Sequence, residues 1–319
     1  MQRDSSAMRT SIHDLAPDRF NYVWDNGLPA ALEVESGDVV ELHVRDASDE
    51  QISESSGVDA VSRLDFAHVN PASGPIFVKG SRPGDVLAVE LVEFKPRDWG
   101  WTAIIPGFGL LADEFADPWL RISRVDEERG RVAFAPGITL PYRPFPGTIG
   151  VALAEPGAHP IVPPSRFGGN MDIKHLVGGT TLYLPVGVDG ALFSLGDTHA
   201  AMGDGEVCGT AVETAMDVTV RLSIRRDFVV DAPQYELPRH AAPDPRDTDW
   251  YVCTGVGPDL LEAARAATRA TIAHLQEQRG LERAEAYALA SVAADLRIHE
   301  VVDAPNWVVG MFMPQSIFD

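Results

Sequence analysis

Apolar and polar residues alternate along most of the chain, and that two-residue period predicts strands. The segment AALEVESGDVVELHVRDA (30–47) carries two alternating runs around Ser36-Gly37-Asp38. PIFVKGSRPGDVLAVELVEF (75–94) repeats the plan around Pro83-Gly84-Asp85. Hairpin turns of this composition explain both segments, and so does a duplicated β-unit. Further strands are predicted at RVAFA (131–135), TLYLPV (181–186), ALFSL (191–195), EVCGTAVE (206–213) and DVTVRLSI (217–224). Residues 47–63 are polar without a period and read as a long loop.

The pattern changes near the C-terminus. DLLEAARAATRATIAHLQEQRG (259–280) is rich in Ala, Leu, Glu and Arg and ends on glycine, which predicts a helix stopped at Gly280. Leu260, Leu261, Ala264, Ala267, Ala270, Thr271 and Leu275 trace its expected apolar face. A second helix is predicted over 281–296, followed by strands in RIHEVVD and NWVVGMFMP. Many short strands punctuated by 28 Gly and 24 Pro indicate a mainly β sandwich or barrel. The Pro- and Asp-rich stretch 241–249 suggests a boundary between a β-rich core (1–248) and a C-terminal α+β subdomain (249–319), packed as one cooperative unit.

Composition narrows the partners. The chain has 319 residues, enough to bury a sizeable core without disulfide staples. A formal charge of −21 disfavours nucleic acid and anionic membranes and suits a neutral ligand or a metal cation. The two cysteines, Cys208 and Cys253, make neither a metal-type pair nor a disulfide framework. No uninterrupted apolar run is long enough to span a membrane, and the polar first residues lack a signal-peptide core. The expected location is the cytoplasm.

The candidate chemistry is concentrated in GDTHAAMGDGEVCG (196–209). Asp197 and His199 stand two apart, which puts them on one side of an extended chain. Asp204-Gly205 is a hairpin signal that would bring Glu206 back toward both. Imidazole and carboxylates converging in this way suit Zn, Mn or Fe, and more carboxylate shifts the preference toward Mg or Ca. A second polar knot, GGNMDIKHL (168–176), offers Asn170 and Asp172, with Lys174 or His175 to supply positive charge or a proton. Cys208 sits in a predicted strand and reads as a small buried hydrophobe, with a nucleophilic role as the competing possibility.

The string GGNMDIKHL…GTTLYLPVGVDGALFSLGDTHAAMGDGEVCGTAVE resembles the acetamidase/formamidase family. NPASGPIFVKGSRPGDVLAVELVEF, GWTAIIPGFGLLADEF, PYRPFPGTIGVAL and PQSIF extend the similarity over nearly the whole chain, in order. The resemblance implies a sandwich or jelly-roll core with an α+β C-terminal part, and a homo-oligomer. It also implies hydrolysis of a small neutral amide, such as formamide or acetamide, to carboxylate and ammonia. A divalent metal is expected at the site, zinc first and calcium, manganese or magnesium as alternatives. On this reading Asp172, Asp197, His199 and Glu206 hold the ion. Glu206, His199 and Asp172 are the catalytic groups, and Asn170, Lys174 and His175 contact substrate. A Cys208 acyl-enzyme route and a non-catalytic metal-binding β-module are the competing readings.

Overall fold

The computed structural model describes residues 11–318, apart from 111, 114, 207, 242–247, 284–285, 287–289 and 291–293. Two β-sheets face each other across the main core. The larger has nine strands and includes Val39–Val44, Val86–Pro96, Thr181–Pro185 and Met216–Arg225. The smaller has six strands and is centred on Phe145–Val151, Phe193–His199 and Ala72–Val78. Met216, Val218, Val220 and Leu222 of the first sheet and Phe145, Ile149, Phe193 and Leu195 of the second share one buried cluster. Burying that apolar surface is the main drive for closing the sandwich. The expected mainly β sandwich is therefore the observed fold.

Alternation works as read where one face meets the core. Along Met216–Arg225 the buried residues recur at every second position, from Met216 to Leu222. The strands Phe145–Val151 and Phe193–His199 are instead buried at every position. They are covered on both faces, and it is here that the polar site is built.

Two expectations need correction. The runs flanking Ser36-Gly37-Asp38 do not form a hairpin: Leu32–Val34 pairs with Ala72–Val78 in the smaller sheet, whereas Val39–Val44 pairs in the larger. The turn at Pro83-Gly84-Asp85 likewise joins Ala72–Val78 of one sheet to Val86–Pro96 of the other. Each turn is a corner between sheets. The predicted loop 47–63 contains a short helix, Asp59–Ser62, and buries Ile52, Ala60 and Val61 against Trp101.

The predicted first C-terminal helix spans Leu260–Arg279. Asp259 caps its N-terminus by accepting from the Glu262 N–H at 2.9 Å, and Gly280 ends it at φ +65°. Its buried face is Ala263, Ala267, Thr271, Ile272 and Leu275; Leu260 and Leu261, placed on that face from the sequence, are exposed. Arg283, Ala286 and Ala290 are helical within the second predicted helix, much of which lies outside the described residues. Trp250–Gly257, Trp307–Pro314 and Asp295–Glu300 continue the nine-stranded sheet. Among the described residues no helix is long and apolar enough to cross a membrane.

Candidate active site

The strand Phe193–His199 delivers Asp197 and His199 into the interior. Their side chains meet, with His199 Nε2 3.2 Å from Asp197 Oδ1. The route differs from plain extended geometry, because Asp197 holds φ +53° inside the strand. The expected return strand 206–213 is not formed. Instead Ala200 and Thr214 donate backbone N–H groups to Val212 and Thr198, closing an irregular loop between them. Gly205 donates to His299 O at 2.7 Å, and this contact pins the loop. Glu206, at φ +45°, is thereby brought to 3.9 Å from His199 Nε2.

Asp172 arrives from the knot after Gly168–Asn170. Gly147 O accepts from the N–H groups of Met171 and Asp172 at 3.0 and 3.3 Å. Asp172 also takes a positive φ, +47°, and its Oδ1 lies 3.9 Å from His199 Nδ1. Left-handed backbone at Asp172, Asp197 and Glu206 costs on the order of 1–3 kcal/mol per residue and concentrates at functional sites.

Three carboxylates unmarked by the sequence reading complete the cluster. Glu213 Oε2 lies 3.1 Å from His199 Nε2. Asp303 Oδ2 accepts from Asn170 Nδ2 at 2.6 Å. Glu300 Oε1 accepts from the backbone N–H groups of Val302 and Asp303. All six acids and His199 are buried. Among the described residues no Lys or Arg pairs with any of the six, and both oxygens of Asp172 lack a hydrogen-bond partner, as do His199 Nδ1 and Glu213 Oε2. Unpaired, desolvated carboxylates are costly, and a cation is the natural occupant. Candidate ligand atoms of Asp172, His199 and Glu206 fall within 4.8 Å of one another, and so do those of Asp197, His199 and Glu213. The residues therefore fit a divalent metal. Glycine at 147 makes the room: a Cβ there would stand 2.4 Å from Asp172 Oδ1, 2.7 Å from Asp197 Oδ2 and 2.8 Å from His199 Cε1.

Two cavities meet at Glu206. One, of about 140 Å³, is lined by Asn70, Trp101, Asp197, Glu206, Glu213 and Asp303 among others. The other, of about 520 Å³, is lined by Phe145, Lys174, His175, Asp204, Glu206 and Cys208 among others.

A sequence profile of the acetamidase/formamidase family matches residues 9–160 and 152–319. The chain belongs to the acetamidase/formamidase family. It is 26% identical to a formamidase of Methylophilus methylotrophus, over 93% of this chain and 88% of that protein. Its fold overlays that of an acetamidase from Bacillus halodurans with a TM-score of 0.87 at 31% identity, covering 96% and 98% of the two chains. A gamma lactamase from Delftia acidovorans overlays at 0.67 with 25% identity, covering 96% and 93%.

Within this family member, the other residues marked from the sequence stand differently. Asn170 spends its side chain on Thr148, Asn70 and Asp303, so it orients an acid of the cluster. Lys174 is tied to Asp204, Nζ to Oδ2 at 2.7 Å. His175 packs against Phe312 and His299. Cys208 is neither in a strand nor fully buried. Among the described residues its Sγ reaches the Ala103 carbonyl and the carbonyl and hydroxyl of Thr210, none of which is a base. The signal for Glu213 was its place at the end of the polar block. For Glu300 and Asp303 the signal was two acids in an otherwise strand-like run.

Burial, and then the charge of Asp197, raises the Asp172 carboxyl to about 6. Burial raises Glu213 to about 8 and holds Glu206 well above the usual carboxylate range. Burial opposes charge on His199, yet Glu213 and Asp197 together push its imidazole well above 6.5. The carboxyl groups are raised above their unfolded values, so each costs stability as pH climbs through its folded-state value. The raised His199 contributes stability below its unfolded pKa and loses it as pH climbs through its folded one. All signs agree. Metal-free protein is therefore expected to melt at a lower temperature at pH 8 than at pH 5.5. A saturating divalent cation should shrink that slope, which a thermal-melt series with and without chelator measures.

Proposed function

We propose that this site hydrolyses a small aliphatic amide, of the formamide or acetamide kind, to carboxylate and ammonia with the aid of a divalent metal ion. The observation that carries the proposal is the orphaned carboxylate of Asp172, set among five other acids and His199, beside a cavity of about 140 Å³. That volume is below the range of drug-sized pockets and suits a substrate of a few heavy atoms. Family membership supports amide hydrolysis as the reaction, which makes the chain an amidohydrolase.

Asp172, Asp197 and His199 would hold the ion, with Glu213 joining them and Glu206 beside it as the proton carrier. Bound there, a divalent cation supplies positive charge that polarises the amide carbonyl and makes water more acidic. The remaining work belongs to the chain. Glu206 lines both cavities, and its raised affinity for protons suits a general base that later becomes an acid. It takes a proton as the water oxygen bonds to the carbonyl carbon. It returns that proton to nitrogen as the C–N bond breaks, so ammonia leaves and the acyl carbon is left as a carboxylic acid, which passes its remaining proton to the released ammonia and departs as carboxylate. Glu213 and Asp197 orient the His199 ring, and Asn170 holds Asp303 in place. The observed donor set is richer in carboxylate than the sequence reading supposed, which moves the preferred ion from zinc toward manganese, magnesium or calcium.

Ammonia release from formamide, acetamide, a longer amide and a γ-lactam, with and without chelator, tests the reading. Release from a small linear amide that chelator abolishes and metal restores is expected. No release from any amide by metal-loaded protein would leave the non-catalytic module standing. Cys208→Ser is expected to retain turnover within about threefold, since its Sγ has no base to activate it. Loss of turnover by two orders of magnitude in that variant would favour the thiol route.

A further inference from the structure

His175, Asp204 and His299 form a second group of donors beside the carboxylate cluster, with candidate ligand atoms all within 4.8 Å of one another. His299 is 0% exposed and His175 8%. The Nδ1 atom of each ring has no hydrogen-bond partner. Unpartnered ring nitrogens on two neighbouring buried imidazoles, 6.0 Å apart by centroid, ask for an occupant.

The rings are built in. His299 Nε2 lies 3.3 Å from the Tyr235 hydroxyl. That contact engages Nε2 and leaves Nδ1 as the ring nitrogen without a partner; in the tautomer protonated on Nε2 it offers its lone pair to an ion. Gly310 makes room for the ring, since a Cβ there would stand 2.2 Å from Nε2. The Phe312 ring packs on both imidazoles, with centroids 5.0 Å from His175 and 5.5 Å from His299. Burial brings both imidazoles down to about 3, which keeps them neutral at any physiological pH. Lys174 holds Oδ2 of Asp204 at 2.7 Å, which orients the carboxylate. His175, Asp204 and Lys174 all line the larger cavity.

We infer that His175, His299 and Asp204 form a second divalent-metal site, of two-histidine-and-carboxylate type, with a coordination position open to the 520 Å³ cavity. Two imidazoles and one carboxylate select a borderline transition ion such as Zn²⁺, in contrast to the oxygen-rich first cluster. The site shares no ligand with the proposed hydrolytic centre and does not depend on it. The same three stretches of chain, 172–175, 204–206 and 299–303, feed both groups, so the two lie side by side.

Zinc counting on the full chain tests the inference. Metal-free protein is equilibrated with Zn²⁺, desalted and measured by elemental mass spectrometry. Asp172→Asn weakens the first cluster and is expected still to retain zinc at the second. Adding Asp204→Asn or His175→Gln should weaken that retained ion by at least about 100-fold. Cu²⁺ placed in Asp172→Asn protein should show coupling to two imidazole nitrogens by electron paramagnetic resonance, falling to one with His175→Gln. If Asp172→Asn does not fold by circular dichroism, the comparison is wild type against Asp204→Asn, whose side chain is at the surface, and one equivalent fewer is expected. Zinc retention unchanged by both Asp204→Asn and His175→Gln, or no imidazole coupling, would overturn the second site. Loss of the first centre alone would show as a wild-type ion that depends on Asp204 and not on Asp172.

Discussion

Replacing His199 with alanine is expected to remove bound metal from the carboxylate cluster and to lower amide turnover by about 10³-fold or more. His199 is the only nitrogen donor in that cluster, and both candidate ligand triads include it. It touches Asp197 at 3.2 Å and Glu213 at 3.1 Å in a fully buried setting. Removing one partner of a buried ion pair strands the other, which costs about 3–5 kcal/mol. The melting temperature of the variant should therefore fall as well, most of all in metal-free protein below the pH at which wild-type His199 gives up its proton. His199→Gln, closer in volume, separates the two effects: it should recover part of the melting temperature and none of the turnover. Turnover measured together with the ion count checks this. Wild-type turnover in a variant without metal would refute the metal-dependent mechanism.

Gly147→Ala is expected to be nearly as damaging, although it adds a single methyl group at a residue with no polar side chain. The added carbon would stand within 2.8 Å of Asp172 Oδ1, Asp197 Oδ2 and His199 Cε1 at once. None of the three can retreat easily, because all are fully or almost fully buried and two carry a positive φ. Overpacking of this kind costs about 1–3 kcal/mol. The larger expected effect is functional, a loss of at least about 100-fold in turnover, since displacement of catalytic groups by about 1 Å has that size. Steady-state kinetics would show it in kcat, and metal affinity should fall in parallel. An alanine variant with wild-type kinetics would mean that the three groups do not act in the positions described.

Where one face of a strand meets the core, local pattern was enough to place it. Arg131–Ala135 has the bounds that alternation predicted, and Met216–Arg225 differs by a residue at each end. Gly280 likewise marked the end of the long helix from local chemistry alone. The pattern failed where neighbours outside the segment decide. EVCGTAVE alternates like a strand, but among its described residues the strand pairing reaches only Glu213. The two similar turns looked like hairpins because a corner between sheets uses the same glycines.

The candidate site was half legible for the same reason. Asp197, His199 and Glu206 lie on one short stretch, so spacing brought them together on paper. Glu300 and Asp303 come from the far end of the chain and reach the cluster only through the strand Asp295–Glu300 and its backbone bridge to Gly205. Gly147 carries no chemistry of its own, and only the folded chain reveals what its missing side chain leaves room for. His175 was marked from the sequence as a substrate contact; the structure sets its ring against Phe312 and 6.0 Å from the ring of His299.

The central claim is that the buried acids around His199 hold a divalent ion. Crystals grown with Mn²⁺ and measured at a wavelength where manganese scatters anomalously test it most directly. An anomalous peak between Asp172, Asp197 and His199, absent after chelator treatment, is the result the account predicts. Well-ordered side chains at that cluster with no peak, in protein that still hydrolyses a small amide, would contradict it.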